Sequence, residues 1–262
     1  SLVSNYATDR GGGLYAAQSN LTLVALAAQG NQAAYGGGAF LQDGRAQIVN
    51  TLLGGNYAAG SGGGLYAANS TARMVNITAA ANRAGGSGGG LLLENGASIV
   101  NSLIGGNSAA ADSQIGGNAV TVQYSLVQGG CGGGASCVDN VQTGDPKLVS
   151  APDPAAAPTS QGDFHAQPTA PTIDIGNNDA AFDPSLPEGS TISAVSVDLG
   201  SSARIVAARV TPPQIDLGAY EALNAPPVFI TTPDPVAGLN TNYVYTAIAE
   251  DPNVPGVRLP CR

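Results

Sequence analysis

Through the first half of the chain, apolar residues come in short runs, each closed by Gly, Asn or Ser. Leu65-Tyr66-Ala67-Ala68, Met74-Val75-Asn76-Ile77-Thr78 and Leu103-Ile104-Gly105 are examples. No 3.6-residue apolar period links these runs, so the pattern predicts short β-strands separated by turns rather than helices.

The runs recur. Asn5, Asn31, Asn56, Asn82 and Asn107 precede glycine clusters at spacings of 25 or 26 residues. Glycine triplets open at Gly11, Gly36, Gly62 and Gly88, and a further asparagine set falls at Asn50, Asn76 and Asn101. Three markers that keep one period signal a solenoid. Strands and turns in a unit of this length make one coil of a parallel β-helix, whose coils stack at about 4.8 Å. The first asparagine set would then form a hydrogen-bonded ladder along the axis. Glycine suits the sharp corners and close backbone approach that each coil requires. Leu14, Phe40, Leu65 and Leu91, which follow the triplets, are expected to point inward. The expected fold is therefore all-β: a right-handed parallel β-helix over residues 1–130, irregular closing coils over 131–221, and a linker with partial β-strands over 222–262.

Composition sharpens this picture. The 262 residues include 37 glycines, one Met and no Trp, and only 10% are charged, so the core must be thin and closely packed. A net charge of −9 argues against a nucleic-acid partner, which needs clustered Lys and Arg. No apolar run reaches the roughly 18 residues that span a membrane. The chain opens partway through a repeat, as a processed protein or a piece of a longer one would. Cys131 and Cys137 flank Gly132-Gly133-Gly134-Ala135-Ser136, a spacing that fits neither a CxxC redox pair nor a zinc site. A short disulfide stapling this glycine-rich loop is expected in an oxidising compartment. Cys261 is left as a free thiol or an intermolecular link.

The GGGLY and GGGAF units of residues 1–130 resemble the β-helical repeats of bacterial secreted and surface proteins, pectin-lyase-like and polymorphic-outer-membrane-protein-like in type. Asp145-Pro146, Ala170 to Gly176 and Asp216 to Glu221 resemble, in order, the tail of bacterial surface proteins of the choice-of-anchor Q type. Residues after Glu221 resemble the start of an Ig-like or cadherin-like module. The resemblance implies an extracellular, cell-surface-associated protein and a closing coil, and it carries no known activity.

Chemistry is sparse. Pectin-lyase-like enzymes need carboxylates holding Ca²⁺, or a pair of acids. Asp43 and Glu94 each follow their ladder asparagine at the same interval, which would set them two coils, or about 10 Å, apart. Both lie in turn sequences, Asp43-Gly44 and Glu94-Asn95-Gly96, and turn chemistry accounts for them better than catalysis. His165 has no partner evident in sequence and reads as structural. Asp174, Asp179 and Asp183 are candidates for Ca²⁺, but match no standard calcium-loop spacing; no other cofactor is implied. The expected role is a non-catalytic structural protein that self-associates head-to-tail in a surface fibre, because its open first coil and its incomplete C-terminal strands invite strand addition. The alternatives are an adhesin binding surface glycans through Tyr15, Tyr35 and Tyr66, and a polysaccharide lyase or hydrolase.

Overall fold

The computed structural model describes residues 1–181, 196–205, 212–222, 228–229, 231, 248–250 and 258–260. Its first half is a parallel β-solenoid of about five turns. Helix among the described residues comprises one turn at Asn178–Ala181, a 3-10 turn at Pro154–Ala156 and the single residue Ser196.

One face of the solenoid is a five-stranded parallel sheet formed by the strands that follow the glycine triplets: Leu14–Ala17, Ala39–Gln42, Leu65–Ala68, Leu91–Leu93 and Ile115–Gly117. A longer sheet wraps the rest and includes the ten-residue strands Arg45–Gly54 and Thr71–Ala80. Each long strand turns a corner at its middle asparagine, Asn50 or Asn76, where the backbone is left-handed (φ 47° and 53°). Asparagine tolerates that conformation better than most residues, which explains why the second asparagine set keeps the period. A small sheet of Gln32–Ala33, Tyr57–Ala58 and Arg83–Ala84 completes the section.

Parallel in-register stacking puts like on like. Ile48, Met74, Ile99 and Val122 form one inward column, and Leu14, Ala39, Leu65, Leu91 and Ile115 another. The core is the sum of such columns and is built from Ala, Leu, Ile and Val. Phe40 departs from expectation: Ala39 occupies the inward register, and Phe40 stands outside between Tyr15 and Tyr66. The cause is the two-residue step after each triplet, in which the first residue faces in and the second faces out.

The five ladder asparagines stack along one corner. Each Oδ1 from Asn31 to Asn107 accepts two bonds from the preceding ladder asparagine, one from its backbone N–H and one from its Nδ2, all at 2.9–3.0 Å. Each Nδ2 from Asn31 onward also donates to a carbonyl of the coil before it, those of Leu2, Ala28, Leu53 and Ala79. The ladder ends where Asn107 donates to Gln114. The triplets serve this corner. Their first glycines are left-handed (φ 62° to 70°), and a Cβ on Gly38 would collide with the Gly64 carbonyl and the Asn56 amide.

The last parallel strand is Ala135–Cys137, and residues 139–143 still stack on 124–129 through a parallel bridge of Gln142 to Leu126 before the chain leaves the stack. Cys131 and Cys137 are joined by a disulfide whose Cα atoms lie 5.6 Å apart. The described residues that follow, up to Ala222, make their contacts on the flank of the solenoid. Leu148–Ser150 and Asp163–Ala166 form an antiparallel pair whose Phe164 packs on Leu52, Ala80 and Ala81. Ile215 packs on Val49, and the Gly218 and Ala219 amides donate to Asn101 O and Thr78 Oγ1. Val228–Phe229, Ile248–Glu250 and Arg258–Pro260 pair as a small antiparallel sheet. Cys261 and Asp183 lie outside the described residues.

Candidate functional site, an aromatic groove on the outer sheet

The outward column of the five-stranded sheet is aromatic where the inward one is aliphatic. Tyr15, Phe40 and Tyr66 stack along the axis, with ring centroids 6.0 Å and 4.9 Å apart. Tyr35, on the turn leading into the Phe40 strand, meets Tyr66 edge-on at 6.2 Å. The Arg10 guanidinium lies 5.1 Å from the centre of the Phe40 ring. Arg10, Tyr35, Phe40 and Tyr66, with Gln42 and Ala68, line an open groove of about 340 Å³, and Tyr15 stands beside it against Phe40. Phe40 is covered by its neighbours, whereas Tyr15 and Tyr35 are 50% and 43% exposed and present free ring surface.

Polar groups frame the rings. Gln42 Oε1 accepts from Arg10 Nη1 at 2.6 Å and from the Tyr15 hydroxyl at 3.4 Å. The Tyr66 hydroxyl donates to Glu94 Oε1 at 2.6 Å. Burial first, and then that bond to Glu94, push the Tyr66 phenol up to about 12, so it stays a donor at any physiological pH.

Asp43 and Glu94 do not share a register. Glu94 aligns with Ala68 and Gln42, whereas Asp43 pairs with the position of Asn69. The turn around Gly60 holds one more residue than its counterpart at Ala34-Tyr35, so the interval counted from the ladder slips by one. Asp43 is held by Asn69 Nδ2 at 2.7 Å and Gln42 Nε2 at 3.1 Å.

A second polar cluster joins the flanking segment to the solenoid. Arg204 is fully buried, and it donates to Asn50 Oδ1 at 2.6 Å, Gly218 O at 2.9 Å and Glu221 Oε2 at 3.4 Å. The acids around it form a chain: Asp198 accepts from the Glu221 amide, Glu221 from the Asp216 amide, and Asp216 from the Asp174 amide. Desolvation is the main cause that raises Asp216 to about 6 and Glu221 to about 9. One guanidinium cannot balance four buried carboxyls, so the cluster holds protons that the unfolded chain would release. Two motifs that looked like separate family markers, Ile173-Asp174-Ile175-Gly176 and Asp216 to Glu221, are thus one structural lock. Only their shared wealth of acids hinted at it.

Asp174 belongs to this lock and Asp179 to the short helix; among the described residues no three of His, Cys, Asp and Glu gather as a metal site would need. His165 has a partner two residues upstream: its Nδ1 lies 2.6 Å from Asp163 Oδ1, and its ring packs 4.0 Å from that of Tyr220. Burial opposes ionisation of Asp163, but the two bonds from His165 outweigh it and hold the carboxyl below its ordinary range. A wider depression of about 790 Å³ beside Asp145 and Lys147 has no aromatic lining. No described helix is long and apolar enough to cross a membrane. No family model, curated protein or solved structure matches the chain.

Proposed function

We propose that this chain is a non-catalytic, extracellular, cell-surface β-solenoid whose outer aromatic groove binds glycans. The observation that carries the reading is the co-location of Tyr15, Tyr35, Tyr66 and Phe40 with hydrogen-bonding groups at their rim. Sites for small polar ligands combine apolar surface with a few placed polar groups, and aromatic rings offer a flat face to the C–H side of a sugar. The disulfide and the resemblance to bacterial surface proteins support the extracellular location. Asp43 and Glu94 stand out of register, each hydrogen-bonded to neighbouring side chains, and so support a binding role over cleavage. Screening on a glycan array followed by calorimetry tests the reading. Tyr35→Ala is expected to weaken the captured glycan on the order of ten-fold without altering the circular dichroism. Capture that is indifferent to Tyr35→Ala and Tyr66→Ala, or cleavage lost on Asp43→Asn, would overturn it.

Head-to-tail stacking is a second reading, favoured by the one-way ladder. Each asparagine donates to the next coil, and Asn5 presents an Oδ1 that accepts no bond among the described residues. A coil laid before it, from this chain or from another copy, would find its acceptor in place. Filaments in electron micrographs support this reading, and dispersed particles at high concentration rule it out.

A further inference from the structure

The charge and direction of the groove narrow its occupant. Four charged side chains stand on or beside it: Arg10, Asp9, Asp43 and Glu94. The single cation is already engaged, by Gln42 at 2.6 Å, by Asp9 at 3.6 Å and by the Phe40 ring beneath it. The three carboxylates are exposed, and Glu94 extends the groove one coil beyond Tyr66. The whole chain carries −9, so no distant positive field offsets them. An anionic ligand would meet repulsion at both ends of the groove and no free cation inside it.

Direction follows from the stacking. The rings of Tyr15, Phe40 and Tyr66 belong to consecutive coils and so repeat along the solenoid axis at close to the coil rise of about 4.8 Å. A pyranose in an extended, equatorially linked chain advances by nearly the same length. A glycan lying parallel to the axis can therefore place successive sugars over successive coils. Its hydroxyls would meet Gln42 and Asp43 on one coil and Glu94 two coils further on, and carboxylates are strong acceptors for paired hydroxyl donors.

Building on the glycan-binding reading above, we infer that the groove takes an uncharged, extended, equatorially linked polysaccharide that runs along the solenoid axis with one sugar per coil. It excludes polyuronates and other acidic glycans.

Cellohexaose and its C6-oxidised glucuronate counterpart test this directly, because they share linkage and length and differ only in carboxylates. Calorimetry at low and physiological salt should show the neutral hexamer binding at least ten-fold tighter, with little salt dependence. Affinity should rise with oligomer length up to about three or four sugars and then level off. Tyr35→Ala should weaken both, and Glu94→Gln should narrow the gap by admitting the uronate. Equal or tighter binding of the uronate overturns the inference while leaving glycan binding intact. So does a length dependence that keeps rising past six sugars, or that stops at one. Binding of neither probe, and of neither the β-1,4-mannan nor the β-1,4-N-acetylglucosamine hexamer, overturns both readings. Circular dichroism unchanged in Tyr35→Ala and Glu94→Gln separates a loss of binding from a loss of fold.

Discussion

Asn56 sits mid-ladder with every amide position in use. Its Oδ1 accepts from the Asn31 backbone and side chain, and its Nδ2 serves Ala28 O and Asn82 Oδ1. It is fully buried, so water cannot replace any of these partners. An unsatisfied buried donor or acceptor costs about 1–3 kcal/mol, and Asn56→Ala strands at least two. The expected loss is about 3 kcal/mol or more, a fall in melting temperature on the order of 10 °C for a domain of this size. Asn69 provides the contrast. It has the same residue type and a left-handed backbone, but it is exposed and bonds only Asp43. Asn69→Gly should stay within about 0.5 kcal/mol. Scanning calorimetry on the two variants separates a load carried by the ladder from a general preference for asparagine. The ladder was legible in the sequence because stacking demands one residue type at one interval. His165 was not, because its partner Asp163 matters only once Tyr220, far along the chain, is folded against it.

The elements of the flanking segment hold to the solenoid through the Arg204 cluster more than through apolar contact, since Ile215 and Phe164 are its main buried anchors there. Its stability should depend on pH with a definite sign. Asp216 and Glu221 have folded-state values raised above those of the unfolded chain, the first to about 6 and the second to about 9. Raised acids keep their protons when folded and release them when unfolded, so their contribution is present at low pH and is lost as pH rises through the folded value. Docking should therefore weaken from about pH 4 upward and be weakest above pH 9. Hydrogen-exchange protection of the Gly218, Ala219 and Glu221 amides, corrected for intrinsic rate, should fall over that range. Protection at the ladder amides should hold. Glu221→Gln mimics the protonated acid and should flatten the upper part of the dependence. A protection profile independent of pH, or one rising with it, contradicts the mechanism. The sequence displayed the acids in their two motifs but not the single guanidinium that gathers them, because nothing in the local pattern around Arg204 marks it for burial.

At the scale of the molecule, a solenoid is a sum of nearest-neighbour coil contacts, whereas the flank is a strap of fixed length. Arg204 binds Asn50, and Asn177 binds Asn101, two coils further on. Deleting residues 56–81 removes one full period and joins Gly55 to Asn82, restoring the ladder from Asn31 to Asn82. The stack should survive and keep its β circular dichroism. Asn50 and Asn101 would then stand about one coil rise, or roughly 5 Å, apart instead of two. Anchors docked at a two-coil spacing would then match one asparagine and not both, and the segment also loses Thr78, the acceptor for Ala219. Limited proteolysis should then cut within residues 145–176, where the intact chain is expected to resist. Resistance retained by the deletion variant would mean that the strap docks without these anchors.

The sequence by itself determined the solenoid, its period, the asparagine ladder and the purpose of the glycines. In a parallel stack each of these is a contact between residues one coil apart, so each leaves a mark at a constant interval that periodicity exposes. Tertiary structure alone decided the rest. One extra residue in the turn at Gly60 set the true register, separating Asp43 from Glu94. The two-residue step after each triplet turned Phe40 outward and so assembled the aromatic groove. Described residues after Thr143 docked on the flank through contacts such as Arg204 to Asn50 and Ala219 to Thr78, 154 and 141 residues apart. Such contacts have no periodic counterpart among the described residues. A pairing made once, across that separation, has no periodic signature, and only the folded backbone brings its two halves together.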